Sequence, residues 1–244
     1  MENNPWDKNA QSRHEQVIQG EDFSFSEVIT PTVVNLIKST SGYDKANVLD
    51  VGCGSGIFTH IASKLVGQIT GIDSSEISIK IAKEEYKEKA NLHFFHTTIE
   101  NFSREDKYGL IISNMAFQSI ERINDALIII SKHIMNNGFL IFSIPHPCFW
   151  EFHKPEIRED NYNYKTPSKH YLKFTITNDS NPLPSPIPYY HRPIEFYFNA
   201  LSDQKFLVKK ILEPVPNEDH HKKYNISWVY PRYVIFNCQK ILEE

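Results

Sequence analysis

The sequence contains few cysteines, no excess of positive charge and no long apolar run. Three of its 244 residues are cysteine, and Cys53, Cys148 and Cys238 share no metal-ligand spacing with one another or with the histidines. The chain carries 26 basic and 30 acidic residues, a formal net charge of −4, whereas nucleic-acid-binding proteins usually have a basic excess. These absences predict a protein of a reducing compartment without a metal site, and they disfavour nucleic acid as a partner.

The apolar runs are too short to cross a bilayer, which takes about 20 residues. Ala126–Ile130 and Phe139–Ile144 are examples. Residues Met1–Trp6 also lack the basic stretch and apolar run of a secretory signal peptide. We therefore expect a cytoplasmic protein without a membrane span.

Residues 45–145 show a regular alternation of apolar strands and amphipathic helices. The spacing of apolar residues and the positions of turn residues predict five strands, at Ala46–Val51, Gln68–Ile72, Leu92–His96, Tyr108–Ser113 and Phe139–Ile144. The same signals predict helices at Ile57–Leu65, Glu76–Lys89 and Ile120–Met135. Asn136-Asn137-Gly138 is interpreted as the stop of the third helix. Such alternation predicts an α/β fold, a doubly wound, Rossmann-like parallel sheet with right-handed crossovers and helices on both faces.

The regions on either side of residues 45–145 do not show this alternation of strands and helices. Thr30-Pro31 begins a predicted helix within an N-terminal helical cap, residues 1–40. Nine of the 14 prolines lie from Pro145 to Pro193, and the aromatic content there predicts a covering lid, residues 146–200. A helix at Ile194–Leu201 precedes C-terminal strands within 201–244, at Phe206–Leu212 and within Ile226–Cys238. We expect all four regions to form one domain.

A glycine turn follows the first predicted strand and opens the first helix. Glycines 52, 54 and 56 allow close backbone approach to a ligand, and the helix N-terminus offers free N–H groups. The dinucleotide fingerprint G-x-G-x-x-G would require its third glycine where Ile57 stands, which weakens a nicotinamide interpretation. Asp50 before the turn favours a cationic ligand over a pyrophosphate. Asp73 ends the second strand, where a carboxylate can accept hydrogen bonds from both ribose hydroxyls.

These residues resemble a known family. Val48-Leu49-Asp50-Val51-Gly52-Cys53-Gly54-Ser55-Gly56, together with Gly71-Ile72-Asp73, looks like motif I and the following acidic motif of class I S-adenosylmethionine-dependent methyltransferases. Tyr108–Asn114 resembles the fourth-strand motif of that family, and Leu127–Pro145 the helix and strand after it. The resemblance covers about residues 45–147 and implies a seven-stranded mixed sheet whose last two strands form a hairpin.

The resemblance also implies a set of roles. Gly52 and Gly54 would pack on the methionine part of S-adenosylmethionine, Asp50 would lie near its amino group, and Asp73 would bind the ribose. Ser74 and Thr98 would lie beside the adenine. The complete predicted cofactor-binding set is Asp50, Gly52, Cys53, Gly54, Gly56, Asp73, Ser74, Thr98, Ile99, Asn114 and Met115, with the last two facing the transferable methyl group.

Candidates for substrate contact lie in the two covering regions. A hydroxyl acceptor would need a general base with a pKa near the working pH, which favours histidine, and His146 and His191 are the candidates. Trp6 and His14 are expected to fold over the cofactor, and the run His220–Lys223 is interpreted as a solvated loop. An aromatic wall around the substrate is predicted from Phe149, Trp150, Phe152, Tyr162, Tyr164, Tyr189 and Tyr190.

The sequence therefore predicts methyl transfer to an O, N or C atom of a small-molecule metabolite, with S-adenosylmethionine as cofactor. Three alternatives stay open: an RNA or protein methyltransferase on the same core, a nicotinamide-dependent oxidoreductase, and a catalytically inactive nucleoside-binding protein. A basic surface stripe would favour RNA, and a filled space beside Asn114 would favour the inactive protein. Neither the substrate nor the oligomeric state follows from the sequence.

Overall fold

A seven-stranded sheet forms the centre of the fold in the computed structural model, which describes residues 4–153, 162–176, 183–224 and 228–241. The strands lie in the order β3-β2-β1-β4-β5-β9-β8. β1 to β5 are parallel, and β9 runs antiparallel to both of its neighbours. The strands of this sheet are β1 Asn47–Val51, β2 Gln68–Asp73, β3 Leu92–His96, β4 Tyr108–Asn114, β5 Ile134–Pro145, β8 Phe206–Leu212 and β9 Tyr233–Lys240.

The α-helices precede, connect and follow these strands. They are α1 Pro5–Ile18, α2 Thr30–Lys38, α3 Ile57–Ser63, α4 Glu76–Glu85, α5 Ile123–His133, α6 Trp150–His153, α7 Ile194–Asp203 and α8 Glu218–Tyr224. A π-helical turn at Ser24–Ile29 leads into α2, and short 3₁₀ turns occur at Tyr43–Lys45 and Phe117–Ser119. A separate antiparallel ribbon pairs β6, Ser168–Leu172, with β7, Ile187–His191.

Two apolar cores lie on opposite faces of the sheet, because successive side chains of a strand point to opposite faces. In β1, Val48 joins one core with residues of α2, α3 and α4, while Leu49 and Val51 join the other with residues of α5 and α7. The central strands are buried on both sides and are accordingly rich in valine, leucine and isoleucine. Because β1 pairs in parallel with β2 and with β4, the carboxyl ends of these strands lie at one edge of the sheet.

Helix α1 is capped at its start and is joined to the segment before β7. Pro5 stands at the start of the helix, and the side chain of Asn4 accepts a hydrogen bond from Trp6 N at 3.0 Å as its cap. Farther along, the fully buried Asn9 joins α1 to the segment before β7, because its amide donates to Ser185 O at 2.8 Å and accepts from Ser185 N at 2.9 Å. The two covering regions predicted from the sequence therefore meet directly.

The predicted fold class is confirmed, including the hairpin between the last two strands of the sheet. The boundary between α5 and β5 is wrong in the prediction. The helix ends at His133 and the strand begins at Ile134, which pairs with Tyr108. Asn137 has a positive φ of 61°, so the predicted stop signal marks an irregularity within the longer strand.

Two further features differ from expectation. The run His220–Lys223, interpreted as a loop, lies within α8, where His220 packs edge-on against Phe23 with 5.4 Å between ring centroids. The predicted lid contains the β6–β7 ribbon, while its residues 154–161 and 177–182 lie outside the described part of the chain. Within the described ranges, no helix combines the length and apolarity that crossing a membrane requires.

Candidate active site

A cavity of about 360 Å³ opens where β1, β2 and β4 end. Its volume falls within the range of about 300–1,000 Å³ that is usual for small-molecule sites. Ligand sites of open α/β sheets lie at the carboxyl ends of the strands, as this one does. We call the part of the lining formed by the strand ends, with Asp50, Gly52, Gly54, Asp73 and Asn114, the strand-end wall.

The glycine turn gives the strand-end wall its shape. Gly52 has a φ of +76°, and a Cβ there would lie 2.3 Å from the Cβ of Ala116, so a side chain would strain the backbone and collide with a neighbour. At Gly54 a Cβ would meet no atom within 4 Å. The backbone of Gly54 therefore faces open space. Cys53 and Ser55 line the same cavity, whereas Gly56, at the N-cap of α3, does not.

Asp73 joins the end of β2 to the glycine turn. Its Oδ2 accepts a hydrogen bond from Gly54 N at 2.8 Å and its Oδ1 accepts one from Ser75 N at 2.7 Å. Burial raises the pKa of this carboxyl, while the two backbone donors act in the opposite direction. Each oxygen retains a second lone pair that can accept a hydrogen bond from a ligand.

Asp50 is almost fully buried at the end of β1 and is only half satisfied. Its Oδ2 accepts a hydrogen bond from Thr59 Oγ1 at 2.7 Å, whereas Oδ1 has no partner. Burial raises the pKa of Asp50 to about 7, the Thr59 hydrogen bond lowers it, and the nearby charge of Asp73 raises it further. A buried carboxylate with an unpaired oxygen is a site that a cationic group would stabilise.

The end of β4 is held in an unusual conformation. Met115 has a φ of 58°, a region that costs a non-glycine residue about 1–3 kcal/mol and that is concentrated at functional sites. Its N–H donates to the buried Ser143 Oγ at 2.9 Å, and the same hydroxyl donates to Asn114 Oδ1 at 2.6 Å. Gln118 holds the Met115 carbonyl from the other side at 2.6 Å. Asn114 and Met115 both line the cavity.

The segments after β2 and β3 complete the strand-end wall. Ser74, Thr98 and Ile99, which the sequence predicts to contact the cofactor, line the cavity, together with Thr97 and Glu100, which the sequence prediction omitted. Ser74 is exposed, and its backbone carbonyl lies 3.1 Å from His96 Nε2. The structure thus brings together ten of the eleven predicted cofactor-binding residues, all except Gly56.

Helix α1 lies over the glycine turn and over the start of α4. His14, which is buried, places Nδ1 2.9 Å from Ser55 Oγ. Asp7 Oδ1 accepts hydrogen bonds from Ser75 Oγ at 2.7 Å and from Ile77 N at 3.2 Å, and Asn4 Nδ2 donates to Ser74 O at 2.7 Å. Trp6 lines the cavity. The N-terminal helix is therefore fastened to both segments that bear the motif residues.

The covering lid and β9 supply a second part of the lining. Trp150, Phe174, Tyr189 and Tyr233 form it together with Leu172, and we call this set the aromatic wall. Burial raises the pKa values of both tyrosines, that of Tyr233 to about 12, so both keep their protons at neutral pH. Of the seven predicted aromatic residues, Trp150 and Tyr189 line the cavity and the other five do not.

One ion pair lies beside the aromatic wall. Arg13 Nη2 is 2.5 Å from Asp22 Oδ2, and both residues line the cavity. The arginine also lies over the ring of Phe174, with 5.1 Å from Cζ to the centroid. The cavity lining as described contains five acids and one cation; the acids are Asp22, Asp50, Asp73, Glu100 and Glu121, and the cation is Arg13.

Neither predicted catalytic histidine lines the cavity. His146 is buried with Nε2 2.6 Å from Glu213 Oε1, and its Nδ1 accepts a hydrogen bond from Cys148 N at 3.2 Å. His191 is also buried, with Nε2 2.8 Å from Tyr164 O. A catalytic role for either residue stays a prediction, and these positions do not favour it. Among the described residues, no group of three or more potential ligands is arranged to hold a metal ion.

The sequence analysis did not identify the residues that hold the site and its cover in place by hydrogen bonds. Thr59 holds Asp50, Ser143 holds Asn114 and Met115, and Asn9 holds the covering segment at Ser185. The position of Thr59 on α3 could have been noticed, because α3 begins directly beside the glycine turn. Asn9 and Ser185 are 176 residues apart, and no local pattern connects them.

Comparisons with known proteins agree with this geometry. A family model described as a methyltransferase domain matches residues 43–215. An uncharacterized protein of Haemophilus influenzae is 26% identical over 211 residues, which cover 82% of each chain. A malonyl-[acyl-carrier protein] O-methyltransferase of Bacillus cereus is 36% identical over 109 residues, 43% of this chain and 40% of that protein. The chain thus matches less than half the length of the Bacillus relative.

The solved structures support the fold. A protein from Listeria monocytogenes assigned as an S-adenosylmethionine-dependent methyltransferase superposes with a TM-score of 0.70 at 21% identity, over 87% of this chain and 98% of that one. At this level of identity the likeness concerns the fold.

Proposed function

The chain belongs to the methyltransferase domain family, and from this premise we propose that it transfers the methyl group of S-adenosylmethionine to an O, N or C atom of a small-molecule metabolite. The observation that carries the proposal is the joint lining of one cavity by the strand-end wall and the aromatic wall. A cofactor on the first wall and an acceptor against the second would share one enclosed space. Such proximity is what a displacement at a methyl carbon requires.

The strand-end wall fits the proposed cofactor part by part. The unpaired Oδ1 of Asp50 would receive the amino group, and the remaining lone pairs of Asp73 would accept the ribose hydroxyls. The open space over Gly54 leaves room for the methionine part. Ser74, Thr98 and Ile99 would surround the adenine.

The composition of the lining supports a small molecule over a nucleic acid. A polyanion would meet five acids and an arginine that is already paired with Asp22, and repulsion of like charges disfavours that contact. The cover formed by α1 and by the segment before β7 is tied together through Asn9. A folded protein substrate would have to displace this cover, whereas a metabolite would fit beneath it.

The proposed catalysis depends on position. When bound, S-adenosylmethionine supplies a methyl group on a positively charged sulfur, which makes the sulfur a good leaving group. Asn114 and Met115 are held rigidly by Ser143 and Gln118 at the point where the acceptor would approach. Among the described residues, the cavity lining contains no histidine and no lysine, and the proposal assigns no general base.

Binding and transfer can be tested separately. Isothermal titration with S-adenosylhomocysteine should give saturable binding at micromolar concentrations, and a folded sample that binds neither it nor S-adenosylmethionine would contradict the proposal. S-adenosylmethionine labelled in its methyl group should then be incubated with the enzyme and a metabolite extract, total RNA or protein. We expect label in the metabolite fraction, while label in RNA or protein would instead identify a macromolecular substrate.

A further inference from the structure

A second, smaller cavity adjoins the aromatic wall. Its volume is about 100 Å³, and five of its lining residues also line the main cavity, namely Asp22, Ser24, Trp150, Phe174 and Tyr233. The rest of its lining is His153, Thr175, Ile176 and Arg232. We call it the side pocket. No residue of the strand-end wall lines it, so a group bound there lies apart from the proposed point of methyl transfer.

The side pocket contains buried polar atoms without partners. Trp150 is 8% exposed, and its indole Nε1 has no hydrogen-bond partner. Arg232 Nε and His153 Nε2 are likewise buried and unpartnered. Unsatisfied buried donors are costly and uncommon in folded proteins, and each one requires an explanation. Two of these three atoms, in Trp150 and Arg232, are N–H donors, and both residues line the side pocket.

Among the described residues, the charges of the side pocket leave one cation, Arg232, without a carboxylate partner. Asp22 is paired with Arg13 at 2.5 Å, and its other oxygen accepts a hydrogen bond from Phe25 N at 3.0 Å. Burial, followed by the charge of Arg232, lowers the pKa of His153 to about 4, so this imidazole is neutral at physiological pH. Within the described ranges, no carboxylate forms an ion pair with Arg232, whose guanidinium lies over the ring of Trp228 at 4.6 Å.

The position of Arg232 is fixed by its backbone. Its carbonyl accepts a hydrogen bond from His146 N at 2.8 Å, which ties the residue to the end of β5. Burial lowers the pKa of the guanidinium, because a low-dielectric surrounding disfavours the charge. A small anion would therefore repay the cost of burying this group and would satisfy the donors of Arg232 and Trp150 together.

On this basis we propose that the acceptor substrate carries a carboxylate that binds in the side pocket, with the Arg232 guanidinium and the Trp150 indole N–H as its donors. The carboxylate anchors the substrate, and the rest of the molecule extends along the aromatic wall towards Asn114 and Met115. The inference rests on the proposed function, since it names the class of acceptor for that site. A single carboxylate also agrees with the case against polyanions, because among the described residues the side pocket is lined by one cation, Arg232, that has no carboxylate partner.

The test uses simple carboxylates and their uncharged amides. The full chain, labelled with ¹⁵N at tryptophan and saturated with S-adenosylhomocysteine, is titrated with benzoate and with benzamide, and then with hexanoate and hexanamide. The indole N–H signals of its three tryptophans are followed by NMR, and Trp150→Phe assigns the relevant signal. We expect the carboxylates to shift the Trp150 signal and to bind at least about tenfold more tightly than the amides.

Substitutions at Arg232 sharpen the result. Arg232→Met removes the charge and should abolish the preference for carboxylate, whereas Arg232→Lys, which keeps a charge, should retain part of it. Arg104→Met is the matched control, because Arg104 is a surface residue paired with Asp106, and it should bind like the unmodified protein. If Arg232→Met does not fold, the comparison of acids with amides in the unmodified protein decides alone.

Two results would overturn the inference. One is equal binding of acids and amides, and the other is the absence of any Trp150 shift with either, up to the solubility of the probes. Failure to bind S-adenosylhomocysteine is a different result and would count against the proposed function. The two failures are distinguishable because the cofactor titration precedes the addition of any acid.

Discussion

The strand-end wall takes its side chains from the ends of neighbouring strands, whereas the aromatic wall takes them from segments far apart in the chain. Asp50 is the last residue but one of β1 and Asp73 ends β2, and the two strands pair directly with Asp50 opposite Gly71. The aromatic wall draws on four separate parts of the chain. Trp150 lies in α6, Phe174 follows β6, Tyr189 lies in β7 and Tyr233 begins β9. The first wall can be inferred from local sequence, and the second requires the complete fold.

The two walls also treat polar groups differently. In the strand-end wall, backbone and side-chain donors hold both oxygens of Asp73 and one oxygen of Asp50 in place. In the aromatic wall, Trp150 Nε1 is buried without a partner. Hydrogen-bond acceptors that are fixed in place suit a cofactor, which is the same in every reaction cycle. Unsatisfied polar groups elsewhere in the cavity leave hydrogen-bonding capacity for the methyl-accepting substrate. Five predictions test this contrast.

Asp73→Ala should have the largest effect, because it removes acceptors from the proposed ribose and from the two backbone donors that shape the turn. We expect S-adenosylhomocysteine to bind about 30- to 150-fold more weakly, a loss of about 2–3 kcal/mol for charged hydrogen bonds. Isothermal titration measures it. Asp203→Ala, at the exposed end of α7, is the control. Unchanged affinity in Asp73→Ala would remove Asp73 from the proposed site.

The affinity for S-adenosylhomocysteine should depend on pH through Asp50. Its pKa is raised to about 7, so below pH 7 the carboxyl must release a proton before it can pair with an amino group. Affinity should therefore rise by up to about tenfold per pH unit as the pH approaches 7, and then level off. Titrations from pH 5 to 7 measure this slope. Asp50→Asn should bind more weakly with a flat profile, and a slope that survives in this variant would contradict the assignment.

The same carboxyl should also affect the stability of the protein without ligand. A folded-state pKa raised above the ordinary 3.8 means that the folded protein holds this proton more tightly. The stabilisation of the folded protein by this bound proton is full below about pH 4, and it is lost as the pH rises through about 7. Asp50→Asn keeps an acceptor for Thr59 and avoids the buried charge. We expect its Tm to exceed that of the unmodified protein above pH 7, and an equal or lower Tm there would contradict the buried, ionising carboxyl.

The fastening of α1 to the glycine turn should contribute a smaller amount. His14→Ala removes the hydrogen bond to Ser55 Oγ, which is worth about 1 kcal/mol, and S-adenosylhomocysteine should dissociate about fivefold faster. Stopped-flow displacement measures this rate. Ser55→Ala should give a similar change, and the double substitution should add little. His93→Ala, on an exposed position of β3, is the control; fully additive effects at residues 14 and 55 would show that the pair does not act as a unit.

The contrast between the walls also explains how far sequence reasoning reached. The strands around Leu49 and Ile111 were predictable, because burial on both faces leaves continuous apolar runs. Asp50 and Asp73 were predictable because each lies at or next to the end of such a run. The register of β5 was not, since the pairing of Ile134 with Tyr108 extends the strand past its turn signal. The side chains of residues 146 and 191 point where distant partners such as Glu213 and Tyr164 hold them, and no local pattern encodes those contacts.

The two predicted catalytic histidines should show the smallest effect on turnover. His146 and His191 are buried outside the cavity lining, so His146→Gln and His191→Phe should lower the Tm while the rate of methyl transfer per folded enzyme changes by less than about threefold. The rate is measured as label transferred to the metabolite extract, normalised by S-adenosylhomocysteine binding capacity. Removing a general base costs about 10²- to 10⁴-fold. A loss of that size in either variant would assign a catalytic role to the substituted histidine, which its described contacts do not indicate. It would also contradict the view that positioning alone carries the reaction.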